Sequence, residues 1–254
     1  MKILYLGDIV GNLGLETLEK HLDELKKEYN PSLVFVNAEN TTKGKGLNLI
    51  DYKRLMKLNI ALLSMGNHTF RQEEINDFID EAKIVRPLNI KDVKGKGYQI
   101  INYNGKHICL INLIGSYLMN MKEEISNPFK EIDELLKNIK ADYIIVDMHA
   151  ETTSEKQAMG YYLDGRVNAV IGTHTHVQTN DDRILPKGTL YISDLGMCGS
   201  EDSILGVKKE IIIDRFVEDK KATFMLEENG KKMINGVLLD LDLKKIIKVR
   251  KEYN

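Results

Sequence analysis

The stretch Ala169–His176 constrains the fold of this chain more than any other. An apolar run ends at Gly172 and is followed by His174 and His176, with one residue between the two histidines. Such a run is typical of a buried strand that leads into a loop, where imidazole rings are held rigidly and still reach a ligand. Two histidines at this spacing also arise by chance. Alone, the stretch predicts a buried strand and a candidate metal site at its end.

Apolar runs and amphipathic stretches alternate along the chain, which predicts an α/β fold. A first strand at residues 3–6 is followed by a helix with leucines at helical spacing on one face, namely Leu15, Leu18, Leu22 and Leu25. Further strands are predicted at 33–36, 60–65, 143–146, around 170, and 189–193, and helices at about 52–58, 75–82, 127–139 and 154–163. With no linker or repeat between these elements, we expect a single domain over residues 1–254.

Turn and cap signals refine this outline. Asn104-Gly105 and Asn229-Gly230 are typical of tight hairpins, so part of the sheet should be antiparallel. Asn127-Pro128 predicts the start of one helix, and Ser154 with Gln157 predicts a capping box at the start of another. The tail contains strand-like runs at 211–213 and 237–239, which predict a mostly β C-terminal portion.

Possible metal ligands follow five of the predicted strands. In an open α/β sheet the ligand site lies beyond the carboxyl ends of the parallel strands, so residues that are distant in sequence converge there. Any single polar residue after a strand can be a turn former, but five such positions are poorly explained in that way. These residues are Asp8; Glu39 and Asn40; Asn67 and His68; Asp147 and His149; and the pair His174 and His176.

The types of these residues narrow the chemistry. Carboxylate, carboxamide and imidazole ligands without a thiolate suit manganese, iron or zinc, while the imidazoles argue against a calcium site. The set is too large for one ion and could supply two ions that share a carboxylate, a site that clamps a phosphate and activates water. Phosphoester hydrolysis is therefore predicted, with these candidate ligands: Asp8, Glu39, Asn40, Asn67, His149, His174 and His176.

Composition excludes several other classes of protein. Apolar residues make up 43% of the chain, the formal net charge is −2, and charges of both signs are scattered along it. We therefore expect neither long nucleic acid nor a membrane as a partner. No signal segment or membrane span is apparent, which favours the cytoplasm. Cys109 and Cys198 lie in apolar or glycine-containing segments, which predicts reduced, buried thiols.

Three motifs in order resemble those of the calcineurin-like metallophosphoesterases: Gly7-Asp8, Gly66-Asn67-His68 and Gly172–His176. Two positions depart from the general superfamily, which has a histidine in place of Val10 and usually an aspartate bridge in place of Glu39-Asn40. Both departures are the pattern of the narrower YmdB-like family of bacterial phosphodiesterases, which the chain resembles over nearly its whole length. The likeness is densest in residues 7–11, 37–40, 66–69, 154–160, 164–166, 172–178 and 202–206.

The resemblance implies a layered α/β sandwich with mixed sheets and helices packed outside. It also implies hydrolysis of 2′,3′-cyclic nucleotides, such as cyclic AMP or GMP, by a metal-held hydroxide. The implied cofactors are two divalent or mixed-valence ions, with iron or manganese expected and zinc or magnesium as alternatives. Carried over by position, Asp8, Asn40 and His176 hold one ion, Asn67, His149 and His174 hold the other, and Glu39 bridges them.

His68 is implied to be the catalytic residue that faces the phosphate, where it stabilises the transition state or protonates the leaving group. The alternative is that His68 only orients Asn67. Asp147 and Glu151 either support the ligands or form an exposed acidic pair. The loop Lys43–Gly46 is either a phosphate or ribose contact or merely mobile.

Two other functions stay open. One is a phosphatase or nuclease that uses the same site on other phosphoesters. The other is a metal-dependent regulatory protein with a protein partner, and a homo-oligomer is compatible with either. No substrate-binding residues are predicted.

Overall fold

Two large mixed sheets form the framework of the computed structural model, which describes residues 1–219 and 222–254. The first sheet contains, in spatial order, β15 (Lys245–Tyr253), β14 (Lys232–Asp240), β11 (Met197–Ser200), β1 (Lys2–Ile9), β2 (Leu33–Asn37), β3 (Leu62–Ser64) and β4 (Ile84–Val85). The second contains β5 (Tyr98–Tyr103), β6 (Lys106–Ile114), β7 (Tyr143–His149), β8 (Ala169–Thr173), β10 (Leu190–Ile192) and β9 (Arg183–Ile184). A small separate hairpin joins β12 (Ser203–Ile204) to β13 (Val207–Lys208).

Helices lie outside both sheets. They are α1 (Gly11–Tyr29), α2 (Leu49–Lys57), α3 (Pro128–Leu136), α4 (Thr153–Tyr162) and α5 (Lys209–Glu218), with a short 3₁₀ helix at Glu73–Asp77. The predicted leucine face of α1 packs on the first sheet, in a cluster that includes Leu4 and Leu6. Ile132 of α3 and Met159 of α4 pack on the second sheet. None of the helices in the described residues has both the length and the apolar character needed to cross a membrane.

A further apolar cluster lies between the two sheets. Tyr5 and Phe35 contribute to it from the first sheet, and Ile145 and Ile171 from the second. The central strands are therefore covered on both faces, which explains why they are continuous apolar runs rather than alternating ones. The predicted layered α/β sandwich is confirmed.

Parallel pairing places the carboxyl ends of the central strands at one edge. In the first sheet β1 pairs in parallel with β2 and β11, and β2 with β3. In the second, β6, β7 and β8 run parallel, with His149 opposite Thr173 at the end of the ladder. The polar residues that follow these strands are thereby delivered to the same edge of the sandwich.

Several local predictions are confirmed. The hairpin at Asn104-Gly105 joins β5 to β6, and both residues have the positive φ angles that this tight turn requires, 50° and 77°. The Asn127 side chain caps α3 by accepting hydrogen bonds from the backbone N–H groups of Phe129 and Lys130. Cys109 and Cys198 are buried free thiols, and burial raises the pKa of each to about 12.

The helix predicted at 75–82 is wrong. Only Glu73–Asp77 is helical, as a 3₁₀ turn, and the chain continues in short turns such as the bond from Glu81 N–H to Phe78 O. Ile75 and Ile79 are still fully buried. The apolar residues of this segment are spaced so that they reach the core. An irregular chain of turns that leads to β4 buries them as well as a helix would.

The predictions for the tail are partly wrong. Residues 211–213 lie in α5, which buries none of its residues, so their apolar character does not mark a core strand. Asn229-Gly230 does not form the predicted hairpin, because β14 pairs instead with β15 through the turn that follows Asp240. The strand at 237–239 is confirmed as part of β14. α4 begins earlier than predicted, because Thr152 rather than Ser154 is its cap.

Candidate metal centre

The carboxyl edge brings together ligand atoms from both sheets. Glu39 follows β2, His149 ends β7 and His174 follows β8, and one ligand atom from each lies within 4.8 Å of the others. Nε2 of His149 is 3.0 Å from Oε1 of Glu39 and 3.0 Å from Oδ1 of Asn67. These four side chains form the first half of the centre, which we call the histidine half.

Asp8, Asn40 and His176 lie beside this group and form the second half, which we call the aspartate half. Oδ1 of Asp8 is 3.9 Å from Nε2 of His176, and Oδ2 accepts a hydrogen bond from the backbone N–H of His174 at 3.3 Å. Asp8 Oδ1 and Asn40 Oδ1 are buried and have no hydrogen-bond partner within residues 1–219 and 222–254. Because a buried polar oxygen without a partner is costly, a cation is the natural partner for this pair.

The three histidines are held so that each turns one ring nitrogen to the centre. His176 Nδ1 donates to the carbonyl of Leu205 at 3.0 Å, which leaves Nε2 directed towards Asp8. His174 Nε2 donates to Glu151 at 3.0 Å, and its Nδ1 lies 3.1 Å from Nε2 of His149. A hydrogen-bond acceptor on the far nitrogen is the usual way in which proteins fix a metal-ligating imidazole.

A relay of buried side chains fixes His149 from behind. His149 Nδ1 donates to Thr173 Oγ1 at 2.8 Å, and that hydroxyl donates to Asp147 Oδ1 at 2.7 Å. The other oxygen of Asp147 accepts from Tyr5 at 3.1 Å. Asp147 is fully buried, so the alternative of an exposed acidic residue is wrong for Asp147. Glu151 is 48% exposed and contacts His174.

Charges at the centre depend strongly on one another. Burial alone would raise the pKa of Glu39, but His149 and His68 lower it to about 2. Burial alone would lower the pKa of His149, but Glu39 raises it to about 9. Burial lowers the pKa of His174 to about 3, and the charge of His149 contributes. Burial also raises the pKa of Asp8 to about 7. A proton on His149 balances Glu39 in the protein alone, and a bound cation would replace that proton.

The backbone is adapted to this crowding. A Cβ at Gly66 would collide with His149 Nε2 and Glu39 Oε2, so only glycine leaves room for the ligands. His174 and His176 both have positive φ angles, 103° and 66°, which non-glycine residues seldom adopt. Such strain is tolerated where surrounding contacts hold the chain in place and is concentrated at functional sites.

His68 lies at the rim of the centre. Its backbone N–H donates to Glu39 Oε2 at 2.8 Å, and its Nδ1 accepts from the amide of Asn40 at 3.0 Å. In the neutral ring the proton therefore lies on Nε2, and burial lowers the pKa of His68, which favours the neutral form. These contacts run to Asn40 and Glu39, so a role confined to orienting Asn67 finds no support.

A buried ion pair beneath the histidine loop was missed at the level of sequence. Lys156 Nζ donates to Asp194 Oδ2 at 2.7 Å, and the same oxygen accepts from the backbone N–H of Thr175, between the two ligand histidines, at 3.0 Å. Both side chains are only 1% exposed. Asp194 directly follows the predicted strand at 189–193, so the pattern that found the ligands could also have found it.

A sandwich of two mixed sheets, with carboxylate, amide and imidazole ligands gathered at its carboxyl edge, defines the class of metal-dependent phosphoesterases. A family model described as YmdB-like protein matches residues 4–251, and the chain belongs to that family. The predicted family resemblance is thus confirmed.

Individual relatives agree with this placement. The chain is 43% identical to the 2′,3′-cyclic-nucleotide 2′-phosphodiesterase of Bacillus subtilis, over 99% of this chain and 96% of that protein. It is similar to the crystal structure of a phosphatase from Mycoplasma pneumoniae, with a TM-score of 0.92, 38% identity, and coverage of 99% and 93%. A hypothetical protein from Thermus thermophilus gives a TM-score of 0.90 at 36% identity, with coverage of 100% and 98%.

Proposed function

We propose that this chain is a phosphodiesterase that hydrolyses 2′,3′-cyclic nucleotides with the help of two metal ions. The observation that carries the proposal is the meeting of Glu39, His149 and His174, which follow or end three different strands, within 4.8 Å of one another. The buried oxygens Asp8 Oδ1 and Asn40 Oδ1, which have no hydrogen-bond partner among the described residues, support it. The activity named for the Bacillus subtilis relative supports the choice of substrate.

The proposed ligand sets follow the two halves of the centre. Asp8, Asn40 and His176 would hold one ion, and Asn67, His149 and His174 the other. Glu39 would bridge them, since its Oε1 lies 3.0 Å from His149 Nε2 and its burial leaves it 1% exposed. The oxygen and imidazole donors suit iron or manganese, which we propose as the native metals.

Divalent ions at such a site polarise a phosphoryl oxygen and lower the pKa of a bound water. The reaction also needs stabilisation of the charge that develops as the bond between phosphorus and the ribose oxygen breaks. His68 is proposed to provide it by donating a hydrogen bond from its Nε2–H, because Asn40 fixes the proton of the neutral ring on Nε2, and the side chain is only 21% exposed. Water provides both the oxygen that phosphorus gains and the proton that the leaving ribose oxygen takes.

We also propose a location in the cytoplasm. Cys109 and Cys198 are buried thiols that stay unpaired, which suits a reducing compartment. A phosphatase activity on monoesters is a second candidate, because the similar Mycoplasma pneumoniae structure is described as a phosphatase.

A direct assay tests the proposal. Purified protein supplied with Mn²⁺ or Fe²⁺ should release a nucleoside monophosphate from 2′,3′-cyclic AMP, and a chelator should stop the release. Monoesters and a short RNA serve as competing substrates in the same assay. Turnover of monoesters with no turnover of the cyclic diester would overturn the phosphodiesterase assignment in favour of a phosphatase.

A further inference from the structure

An apolar cavity of about 400 Å³ opens beside the metal centre. It lies between the loop that follows β6 and the first turns of α3 and α4. The cavity is lined mainly by Tyr117, Leu118, Phe129, Thr152, Ser154 and Ala158, and Glu155 is the charged residue of the described lining. Its size falls within the range of small-molecule sites, and neither the metal ligands nor His68 form part of its lining.

The segments that form the walls of the cavity are joined to the histidine half by the backbone and by hydrogen bonds. Thr152, in its wall, directly follows Glu151, whose carboxylate accepts the hydrogen bond from His174. On the other wall, the backbone N–H of Gly115 donates to the carbonyl of His149 at 2.9 Å, two residues before Tyr117. Both walls are therefore fixed directly to ligand-bearing segments.

The loop that carries Tyr117 is anchored rather than free. The buried carboxylate of Glu155 accepts hydrogen bonds from the backbone N–H groups of Ser116 and Tyr117, at 2.8 and 3.4 Å. Asn89 hydrogen-bonds to Ile114 and Ser126, at the two ends of the loop. The ring of Tyr117 nevertheless keeps 69% of its surface exposed, which is unusual for an aromatic side chain on a fixed backbone.

We propose that this cavity receives the nucleobase of the substrate, with the base stacked on Tyr117. The inference rests on the proposed function, because it takes the phosphate to lie at the metal centre. Among the described residues that line the cavity there is no lysine or arginine, so a second phosphate group would find no counter-charge there. An uncharged aromatic ring is the part of a cyclic nucleotide that suits an apolar wall, a tyrosine and the hydroxyl of Ser154.

Steady-state kinetics with and without a base test the proposal. Tyr117→Ala should raise the KM for 2′,3′-cyclic AMP by about 5- to 150-fold, the range expected for losing one base–aromatic stack, and leave kcat within about twofold. The KM for methyl riboside 2′,3′-cyclic phosphate, which lacks a base, should not change. Tyr117→Phe should behave as the wild type. Leu243→Ala is the control, because Leu243 is equally exposed and lies in the turn at the opposite edge of the sheet.

Equal changes with both substrates, or no change with cyclic AMP, would overturn the nucleobase site. Failure of the proposed function gives a different result, since the wild type would then hydrolyse neither compound. In that case calorimetric binding of adenosine decides. Binding that Tyr117→Ala weakens supports the site, and absent or unaltered binding refutes it.

Discussion

The two halves of the metal centre differ in how completely the protein satisfies them without an ion. In the histidine half, Glu39, Asn67, His149 and His174 lie in mutual contact at about hydrogen-bond distance. In the aspartate half, Asp8 and Asn40 each keep a buried oxygen without a hydrogen-bond partner among the residues that the structure describes, and His176 stands 3.9 Å from Asp8. The protein thus satisfies the histidine half through its own hydrogen bonds and leaves polar atoms of the aspartate half unsatisfied.

Only the aspartate half lowers the stability of the folded chain when no ion is bound. A buried oxygen without a partner destabilises the folded chain, whereas a buried carboxylate that accepts hydrogen bonds from an imidazolium and a backbone N–H does not. Ion binding should therefore relieve strain in the aspartate half and replace a proton in the histidine half. Substitutions in the two halves should therefore differ in their effects on turnover, metal binding and stability.

Glu39 belongs to the histidine half and is the proposed bridge to the aspartate half, so its substitution should disturb both. Glu39→Gln removes the charge of this proposed bridge, and turnover should fall by about 1,000-fold or more, because the ions would supply several kcal/mol of transition-state stabilisation. Elemental analysis should find one or both ions lost. A variant that still holds both ions would refute Glu39 as the bridge.

His68 tests whether catalysis is separable from metal binding. His68→Ala should keep both ions and lose turnover by about 100- to 1,000-fold, the contribution typical of a positioned hydrogen-bond donor to the transition state. His107→Ala is a matched control, because His107 lies in β6 near the opposite edge and is exposed. Full turnover by metal-loaded His68→Ala would mean that the ring does not stabilise the transition state.

Acidic residues that hold the proposed ligand histidines in place should contribute more to metal affinity when they are buried than when they are exposed. Asp147→Asn disturbs the relay through Thr173 to His149, and we expect about a 10- to 100-fold loss of metal affinity or activity. Glu151→Gln should cost less, because Glu151 is 48% exposed and its pair with His174 is open to solvent. Metal titrations of both variants measure this order, and a larger loss for Glu151→Gln would reverse it.

Substitutions in the two halves should change the free energy of unfolding of the ion-free protein in opposite directions. Asp8→Asn should stabilise the chelator-treated protein by about 1 kcal/mol, because it replaces a buried carboxylate with a neutral amide. Glu39→Gln should destabilise it by about 2 kcal/mol, because a partnered carboxylate is lost. Urea denaturation of both variants in a chelator measures this, and two changes of the same sign would remove the distinction between the halves.

The effect of Asp8→Asn should also depend on pH. Burial raises the pKa of Asp8 from 3.8 to about 7, so the folded chain binds this proton more tightly than the unfolded chain does. The contribution of Asp8 to the stability of the ion-free wild type should therefore decline as the pH rises from 4 to 7, and the advantage of Asp8→Asn should be larger at pH 8 than at pH 5. Equal advantages at both values would show that Asp8 ionises normally.

The sequence indicates the proposed metal ligands more readily than the residues that hold them in place, for a physical reason. Asp8, Glu39 and His149 stand at the ends of apolar runs, and parallel pairing must bring such ends together. The hydrogen bond from His176 to the carbonyl of Leu205 leaves no trace in residue type, since every residue has a carbonyl. The contact of Lys156 with Asp194 joins a helix to a loop 38 residues away and depends on tertiary packing.

The errors in the fold have a related origin. Residues 211–213 are apolar and β-branched, and yet they lie in a helix that packs little against the core. The preference of β-branched residues for strands predicts a strand poorly where the segment does not pair with the edge of a sheet. Asn229-Gly230 fits a tight turn, but Glu201 N–H bonds to the carbonyl of Lys231 and directs the chain into pairing with β11 instead.

Anomalous diffraction from crystals grown with Mn²⁺ tests the central claim most directly. We expect two peaks at the carboxyl edge, one contacted by Asp8 and His176, the other by His149 and His174, with Glu39 touching both. A single peak, or peaks away from these side chains, would contradict a dinuclear centre built from the two halves.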